Sequence, residues 1–211
     1  MNALDKILEK RLVPVAVIER EDDAVPLMEA LIAGGLNVIE VTLRTAAAMG
    51  AMRAIRDAFP DVLVGAGTVL DVEPIAELAG MGVGFVVSPG INEKVVEAAM
   101  EEGLPATPGV ATPTEVERGR ALGCRVLKFF PAENLGGANM LKALAGPYGH
   151  TGLQFIPTGG VNLELAKNYW ALPVVAAVGG SWFVKKELVA DGRFDAITEM
   201  TREAVQLAAA S

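Results

Sequence analysis

A lysine stands in the middle of an apolar run in the second half of the chain, in the segment RVLKFFP, residues 125–131. Successive side chains of a strand point to opposite faces, so Lys128 shares one face with Val126 and Phe130. Burying an ammonium group is costly and favours the neutral amine, which attacks ketones to form a Schiff base. The alternative is a lysine that snorkels or forms a salt bridge at a strand end. This segment alone leaves both interpretations open.

A second charged side chain interrupts an apolar strand pattern in the segment EVTLRT, residues 40–45. Glu40, Thr42 and Arg44 are two residues apart, so they share one face. A carboxylate inside a strand is costly unless it is paired. Glu40 is therefore either a structural partner for Arg44 or, beside a buried charge on another strand, a general acid or base. The guanidinium of Arg44 fits a carboxylate or a phosphate, and the alternative for it is a surface ion pair.

Glycines and hydroxyl side chains follow four other strand-like runs. The segments GAGT, residues 65–68, and SPG, residues 88–90, suit close approach of a ligand to the backbone, and equally suit ordinary turns. The segments PTGG, residues 157–160, and GGS, residues 179–181, lie later, the second before a predicted helical turn at Trp182–Lys185. Exposed amides and a helix N-terminus can hold an anion. These two ends therefore favour a phosphate site over the alternative, plain turns.

Eight strand-like runs alternate with helical patterns along the chain. The predicted strands are Leu12–Ile18, Val38–Thr42, Val62–Ala66, Gly84–Ser88, Leu104–Thr107, Arg125–Phe130, Leu153–Pro157 and Val174–Val178. Regular alternation indicates parallel β/α units, and eight units predict a closed (β/α)8 TIM barrel, an α/β fold. An open doubly wound sheet is the alternative, but no nucleotide-binding fingerprint follows Ile18. In a barrel, the site lies at the carboxyl ends of the strands.

Helical spacing follows each of these strands and also precedes the first one. The predicted helices are Asn2–Arg11, Asp22–Ala33, Ala46–Phe59, Pro74–Met81, Glu93–Glu102, Thr114–Leu122, Asn139–Leu144, Leu163–Trp170 and Phe194–Ala209. The additional N-terminal helix at Asn2–Arg11 is expected to close one end of the domain. No linker or low-complexity segment divides the chain, so residues 1–211 are expected to form a single barrel domain.

Composition and charge limit the partners of the chain. Its 211 residues are 52% hydrophobic, enough for one substantial core, and its formal net charge of −8 argues against nucleic acid or an anionic membrane as a partner. Cys124 is the only cysteine, so no disulfide can form within the chain and a reducing, cytoplasmic compartment is expected. Its side chain is expected to have a packing role. His150 is the only histidine, which argues against a His-rich metal site. Neither a signal peptide nor a run of membrane-spanning length is expected.

Seven segments follow one another along the chain: VIEVTLRT, VGAGTVL, VSPGI, PGVATPTE, LKFFPAE, PTGGV and VGGSW. In this order they resemble the 2-keto-3-deoxy-6-phosphogluconate (KDPG) aldolases, which also act as 4-hydroxy-2-oxoglutarate aldolases. The resemblance runs from about Val13 to the last helix. It implies a class I aldolase on a (β/α)8 barrel, usually a homotrimer, that needs no metal or other cofactor and acts on a small 2-keto acid or phosphosugar.

The resemblance also implies roles for individual residues. Lys128 would be the Schiff-base lysine, and Glu40 the carboxylate that transfers protons. Arg44 and Thr68 would hold the substrate carboxylate, and Pro89 would pack near the lysine.

The phosphate end shows one departure from the family pattern. Thr158 would contact the hydroxylated middle of the substrate, and the phosphate would be lined by Gly159, Gly160, Gly179, Gly180 and Ser181. Several relatives carry a basic residue after the first strand, near the phosphate. Glu19 stands there in this chain, with Arg20 one step later, which makes the strength of phosphate binding an open question.

Two rival functions make different demands on the same residues. A non-catalytic phosphate-binding barrel would use Lys128 only to neutralise an anion. A phosphosugar isomerase would use Glu40 as a base without a covalent step. An isomerase needs no lysine buried in a strand, and a binding protein needs no buried carboxylate. A joint requirement for Lys128 and Glu40 therefore favours carbon–carbon bond cleavage through an imine.

Overall fold

The chain folds as a curled parallel α/β structure. The computed structural model describes residue 7 and residues 9–211. The helix expected at Asn2–Arg11 lies mostly outside the described residues. The strands within them are β1 (Leu12–Ala16), β2 (Val38–Thr42), β3 (Leu63–Gly67), β4 (Phe85–Val87), β5 (Ala106–Thr107), β6 (Gly109–Val110), β7 (Val126–Phe129), β8 (Gln154–Pro157) and β9 (Val178–Gly180).

The strands form two parallel sheets. Six strands make a half-barrel in the order β5-β4-β3-β2-β1-β9, and three more pair in the order β6-β7-β8. Every residue of β2, β3 and β7 is buried, as expected for strands covered on both faces. The register pairs Glu40 with Gly65 in one sheet and Lys128 with Ile156 in the other. Each sheet therefore carries one of the two charged residues in its interior.

The strand expected at Leu104–Thr107 is divided in the structure. Pro108 separates β5 from β6, and it has no N–H to continue a ladder. Its carbonyl accepts a hydrogen bond from the amide of Lys128 at 2.9 Å. The chain thus leaves one sheet at β5 and enters the other at β6.

The strand expected at Val174–Val178 also differs. Regular strand pairing begins only at Val178, where β9 starts. Before it, Val174 and Ala176 form backbone hydrogen bonds with Phe155 of β8. Isolated parallel bridges join Phe155 to Val175 and Thr158 to Gly179. These bridges bring the loop after β8 against β9.

The helices cover the outside of the sheets. They are α1 (Ala24–Ala33), α2 (Ala48–Ala58), α3 (Ile75–Gly80), α4 (Glu93–Glu101), α5 (Pro113–Ala121), α6 (Gly137–Ala145), α7 (Leu163–Trp170), α8 (Lys186–Ala190) and α9 (Phe194–Ala209). Most agree with the sequence prediction to within about two residues. Sequence reasoning placed only a turn at Trp182–Lys185, and it missed the short helix α8 that begins directly afterwards. Across the part of the chain that is described, no helix combines the length and apolarity needed to cross a membrane.

Candidate active site

Lys128 on β7 and Glu40 on β2 meet in the interior. The Lys128 Nζ lies 3.5 Å from the Glu40 Oε1, and the two residues are 6% and 4% exposed. Among the ion pairs of the described residues, this is the only one in which both side chains are buried. Glu40 therefore pairs with the lysine, and not with Arg44, the structural alternative that the sequence left open.

The carboxylate of Glu40 is incompletely satisfied. Its Oε1 is buried and has no hydrogen-bond partner among the described residues. Buried polar atoms are nearly always hydrogen-bonded, so an exception calls for a reason. An acceptor left open beside an amine can take and return protons while substrate is bound, and such contacts are often long before substrate arrives.

The glycines of the segment GAGT make room for side chains of the interior. A methyl group at Gly67 would overlap the carboxylate of Glu40, and one at Gly65 would overlap the ring of Phe85. The sequence suggested that these glycines admit a ligand to the backbone or form a turn. The structure shows in addition that Gly67 leaves space for Glu40, a role visible only once neighbouring strands are placed together.

Thr68 follows directly and has a strained backbone. Its φ is +56°, a left-handed conformation that β-branched residues rarely adopt. The residue lines the cavity in front of Lys128. Strain of this kind persists only where the surrounding structure imposes it, which fits a residue held in place for a ligand.

A cavity of about 200 Å³ opens above the lysine at the carboxyl ends of the strands. Nine of the eleven residues singled out by sequence line it: Arg44, Thr68, Pro89, Lys128, Thr158, Gly159, Gly160, Gly180 and Ser181. Glu40 lies below, where it lines a smaller space with Lys128 and Thr158. Gly179 lies behind, since a methyl group there would overlap the hydroxyl of Thr158.

Other residues of the wall were not assigned to the site from sequence. Phe130 is one of them, and the centre of its ring lies 5.0 Å from the Lys128 Nζ. Strand parity had already placed it on the same face as the lysine, which was the available signal. Thr42 also lines the cavity, and its hydroxyl donates to the carbonyl of Ala16 at 3.2 Å. Val15, Val17 and Val161 complete the wall.

Arg44 is the cation of the cavity rim. It is exposed, and it makes no ion pair with any residue that the structure describes. A guanidinium without a carboxylate partner at a cavity mouth suits an anionic ligand.

Two glycine loops form another part of the cavity wall. Gly159 and Gly160 have φ values of +101° and +76°, which residues other than glycine rarely adopt. The bridge between Thr158 and Gly179 holds this loop against the end of β9, where Gly180 and Ser181 follow. A methyl group at Gly180 would overlap the indole of Trp182, so glycine is also required there for packing.

Glu19, the acidic residue at the position where the resemblance leads us to expect a basic one, is itself paired. The Glu19 Oε1 lies 2.7 Å from the Nζ of Lys186, at the start of α8. Arg20, the neighbouring cation, binds Asp23 through two hydrogen bonds of 3.0 and 2.6 Å. Neither Glu19 nor Arg20 lines the cavity.

Cys124, just before β7, is a packing residue. It is free and buried, and burial raises the pKa of its thiol to about 11. The thiol therefore stays protonated at neutral pH, which fits the packing role expected from the sequence.

A buried lysine that faces a buried carboxylate across two parallel sheets has the side chains that a Schiff-base lyase requires. The model of the KDPG and KHG aldolase family matches residues 4–200, and the chain belongs to that family. It is therefore an aldolase, which removes the isomerase and the non-catalytic barrel from consideration.

Individual relatives agree along almost their whole length. A 2-dehydro-3-deoxy-phosphogluconate aldolase of Treponema pallidum is 47% identical over 206 residues, 98% of this chain and 96% of the relative. The KHG/KDPG aldolase of Escherichia coli K12 is 44% identical over 195 residues, 92% of this chain and 91% of the relative. A crystal structure of KDPG aldolase from Legionella pneumophila, with pyruvate captured as a covalent carbinolamine, superposes with a TM-score of 0.91. It is 39% identical, covering 97% of this chain and 98% of that one.

Proposed function

We propose that the chain cleaves 2-keto-3-deoxy-6-phosphogluconate to pyruvate and glyceraldehyde 3-phosphate through a Schiff base on Lys128. The observation that carries the proposal is the buried pair of Lys128 and Glu40, whose Nζ and Oε1 atoms lie 3.5 Å apart at the floor of a cavity. The carbinolamine of the Legionella relative is a covalent adduct of the kind that precedes an imine, and it supports the same chemistry here.

The proposed reaction begins at the C2 ketone. The amine of Lys128 attacks this carbon after giving up its proton, and Glu40 relays protons as water leaves and a protonated imine forms. Glu40, directly or through a water, then accepts the proton of the C4 hydroxyl. The C3–C4 bond breaks, its electron pair moves into the imine, and glyceraldehyde 3-phosphate leaves. Protonation of the remaining enamine at C3 and hydrolysis of the imine release pyruvate and the free lysine.

The cavity supplies groups for each end of this substrate. We assign the substrate carboxylate to Arg44 and Thr68, with Pro89 packed beside the lysine, and the hydroxylated middle to Thr158. The phosphate is assigned to the glycine loops, through Gly159, Gly160, Gly179, Gly180 and Ser181. Apart from that of Gly179, which lies behind Thr158, these roles rest on position in the cavity wall and on the ability of amides and hydroxyls to bind anions.

Cleavage of 4-hydroxy-2-oxoglutarate to pyruvate and glyoxylate is a second proposed activity. The Escherichia coli relative carries both activities in its name. The groups assigned to the reacting half of the substrate, Lys128, Glu40, Arg44 and Thr68, require no phosphate. The same chemistry therefore applies to the shorter substrate.

Borohydride trapping tests the covalent step. Incubation with pyruvate and borohydride should attach pyruvate irreversibly to Lys128, as mapped by mass spectrometry of the peptides. Attachment at another lysine, or none, would refute the assignment. A coupled assay for pyruvate release, with each of the two substrates in turn, measures which one the chain prefers.

We further propose that the two sheets close into one (β/α)8 barrel, the single domain of the chain. The break at Pro108 and the bridges that join β8 to the approach of β9 support closure on both sides. A crystal structure would test it, and an open gap between the sheets would refute it.

Assembly and compartment are proposals as well. We propose a homotrimer, because the family usually forms one and because Ile32, Leu70, Val72 and Met100 are exposed apolar side chains. Light scattering that reports a monomer at micromolar concentration would refute it. A cytoplasmic location is proposed from the single free Cys124, and cell fractionation tests it.

A further inference from the structure

A buried tyrosine and a glutamate lie directly behind the proposed phosphate loop. Tyr169, in the last turn of α7, is 0% exposed, and its hydroxyl donates to the Oε1 of Glu133 at 2.5 Å. Glu133 begins a short 3-10 turn that follows β7, the strand of the Schiff-base lysine. The hydrogen bond therefore joins the element after β7 to the helix after β8.

The backbone of the same segment holds the loop after β8. The amide of Glu133 donates to the carbonyl of Gly159 at 3.1 Å, and the amide of Ala132 donates to the carbonyl of Thr158 at 2.8 Å. Gly160 packs on the side chain of Glu133, because a methyl group at Gly160 would lie 2.8 Å from the Glu133 Cβ. Glu133 therefore contacts both glycines of the loop, Gly159 through its backbone amide and Gly160 through its side chain.

The Tyr169 hydroxyl stays protonated, so its hydrogen bond to Glu133 can persist. Burial, followed by the hydrogen bond to Glu133 and its negative charge, raises the pKa of Tyr169 well above its ordinary value. The phenol therefore remains a donor at all physiological pH values. A charged acceptor makes this kind of hydrogen bond stronger than one between neutral groups.

We propose that Tyr169 and Glu133 form a positioning pair that holds the Gly159–Gly160 loop in the shape that binds the phosphate of the substrate. The inference rests on the proposed function, because it assumes that the phosphorylated end lies on this loop. Neither residue lines the cavity above Lys128, so the pair is expected to act on substrate affinity through the loop and to leave imine chemistry to Lys128 and Glu40. A released Glu133 carboxylate would also place an unanchored negative charge behind the anion site.

The first test is Tyr169→Phe, which removes the hydroxyl and keeps the ring. The KM for 2-keto-3-deoxy-6-phosphogluconate should rise about tenfold, the effect of losing one hydrogen bond to a charged group. The kcat should stay within about twofold, as should both constants for 4-hydroxy-2-oxoglutarate, which has no phosphate. Equal changes for both substrates, or no change for either, would overturn the proposal.

Tyr148→Phe is the matched control. The hydroxyl of Tyr148 also contacts a glutamate, Glu117 at 3.3 Å, together with the carbonyl of Pro113, but it anchors α5 and not the glycine loop. The same substitution there should leave the KM of both substrates within about twofold. A KM increase equal to that of Tyr169→Phe would overturn the proposal.

Substitutions of Glu133 keep the test decisive if Tyr169→Phe folds poorly. Glu133→Gln retains an oxygen that accepts the phenol hydrogen bond, so its KM for the phosphorylated substrate should stay within about threefold of the parent. Glu133→Ala should raise that KM about tenfold, and Tyr169→Phe added to it should cause little further change. Fully multiplicative effects of the two substitutions would overturn the pairing.

Pyruvate trapping separates this inference from the proposed function. Borohydride trapping of pyruvate on Lys128 should be the same in the parent, Tyr169→Phe and Glu133→Ala. Absence of trapping in the parent refutes the proposed function itself. Normal trapping and cleavage by the parent, with unchanged KM values in both variants, refutes only the positioning role.

Discussion

Gly67→Ala tests whether the position of Glu40 matters for catalysis, without altering a charged group. A methyl group at Gly67 would overlap the Glu40 carboxylate, so the carboxylate has to move away from the lysine. Displacing a positioned catalytic group by about 1 Å costs roughly 10²-fold in rate. We therefore expect kcat/KM to fall by about 10²-fold. Overpacking a buried strand should also cost about 1–3 kcal/mol of stability.

Two glycine substitutions elsewhere separate these effects. Gly65→Ala adds the same methyl group to the same strand, but it overlaps Phe85 instead of Glu40. It should destabilise the fold by a similar amount and retain much more activity. Gly80→Ala, at the end of α3, meets nothing within 4 Å and should change neither property by much.

The assay is pyruvate release under saturating and limiting substrate, with thermal denaturation measured in parallel. For a domain of this size, 1 kcal/mol corresponds to a shift in Tm of roughly 2–4 °C. Activity of Gly67→Ala close to that of the parent would refute the reasoning. So would an equal loss in Gly65→Ala, because the cause would then be general distortion of β3.

Further predictions concern four residues. Lys128→Ala and Lys128→Arg should both abolish pyruvate trapping and cleavage, since a guanidinium stays protonated and forms no imine; retained trapping would show that another amine is the nucleophile. Glu40→Gln should lower kcat by roughly 10²–10⁴-fold and still trap some pyruvate slowly, and near-parental turnover would leave Glu40 as a charge partner only. Thr68→Gly should relieve a left-handed conformation that costs about 1–2 kcal/mol, and so raise the Tm while KM increases; a lower Tm would contradict the strain. Burial raises the pKa of the Cys124 thiol from 9.0 to about 11. The stability that this buried, protonated thiol contributes is therefore complete below the pKa of the unfolded chain and is lost as the pH rises through the pKa of the folded protein. Rapid alkylation of the native thiol at neutral pH would contradict this.

The sequence by itself determined the class of fold and selected most of the side chains that line the cavity. Alternation of strands and helices indicated parallel β/α units, and the structure has them. Strand parity turned Lys128, Phe130, Glu40 and Thr42 toward the interior, because side chains of a strand alternate between its faces. Because the carboxyl ends of parallel strands lie at one edge of a sheet, the polar loops that follow them were expected to lie close together. Nine of the eleven selected residues line one cavity.

Only the tertiary structure decided which of these residues meet. Parity states the face of a side chain, but the distance from Lys128 to Glu40 depends on how two separate sheets are set against each other. Position 67 holds a glycine because the Glu40 side chain of the adjacent strand occupies the space beside it. The strand breaks at Pro108, whose carbonyl accepts a hydrogen bond from the amide of Lys128 in the other sheet. The sequence did not indicate a role for Glu133 or Tyr169, because a charged residue in a turn and an aromatic residue in a helix are common. Only the fold brings the Tyr169 hydroxyl within 2.5 Å of the Glu133 Oε1.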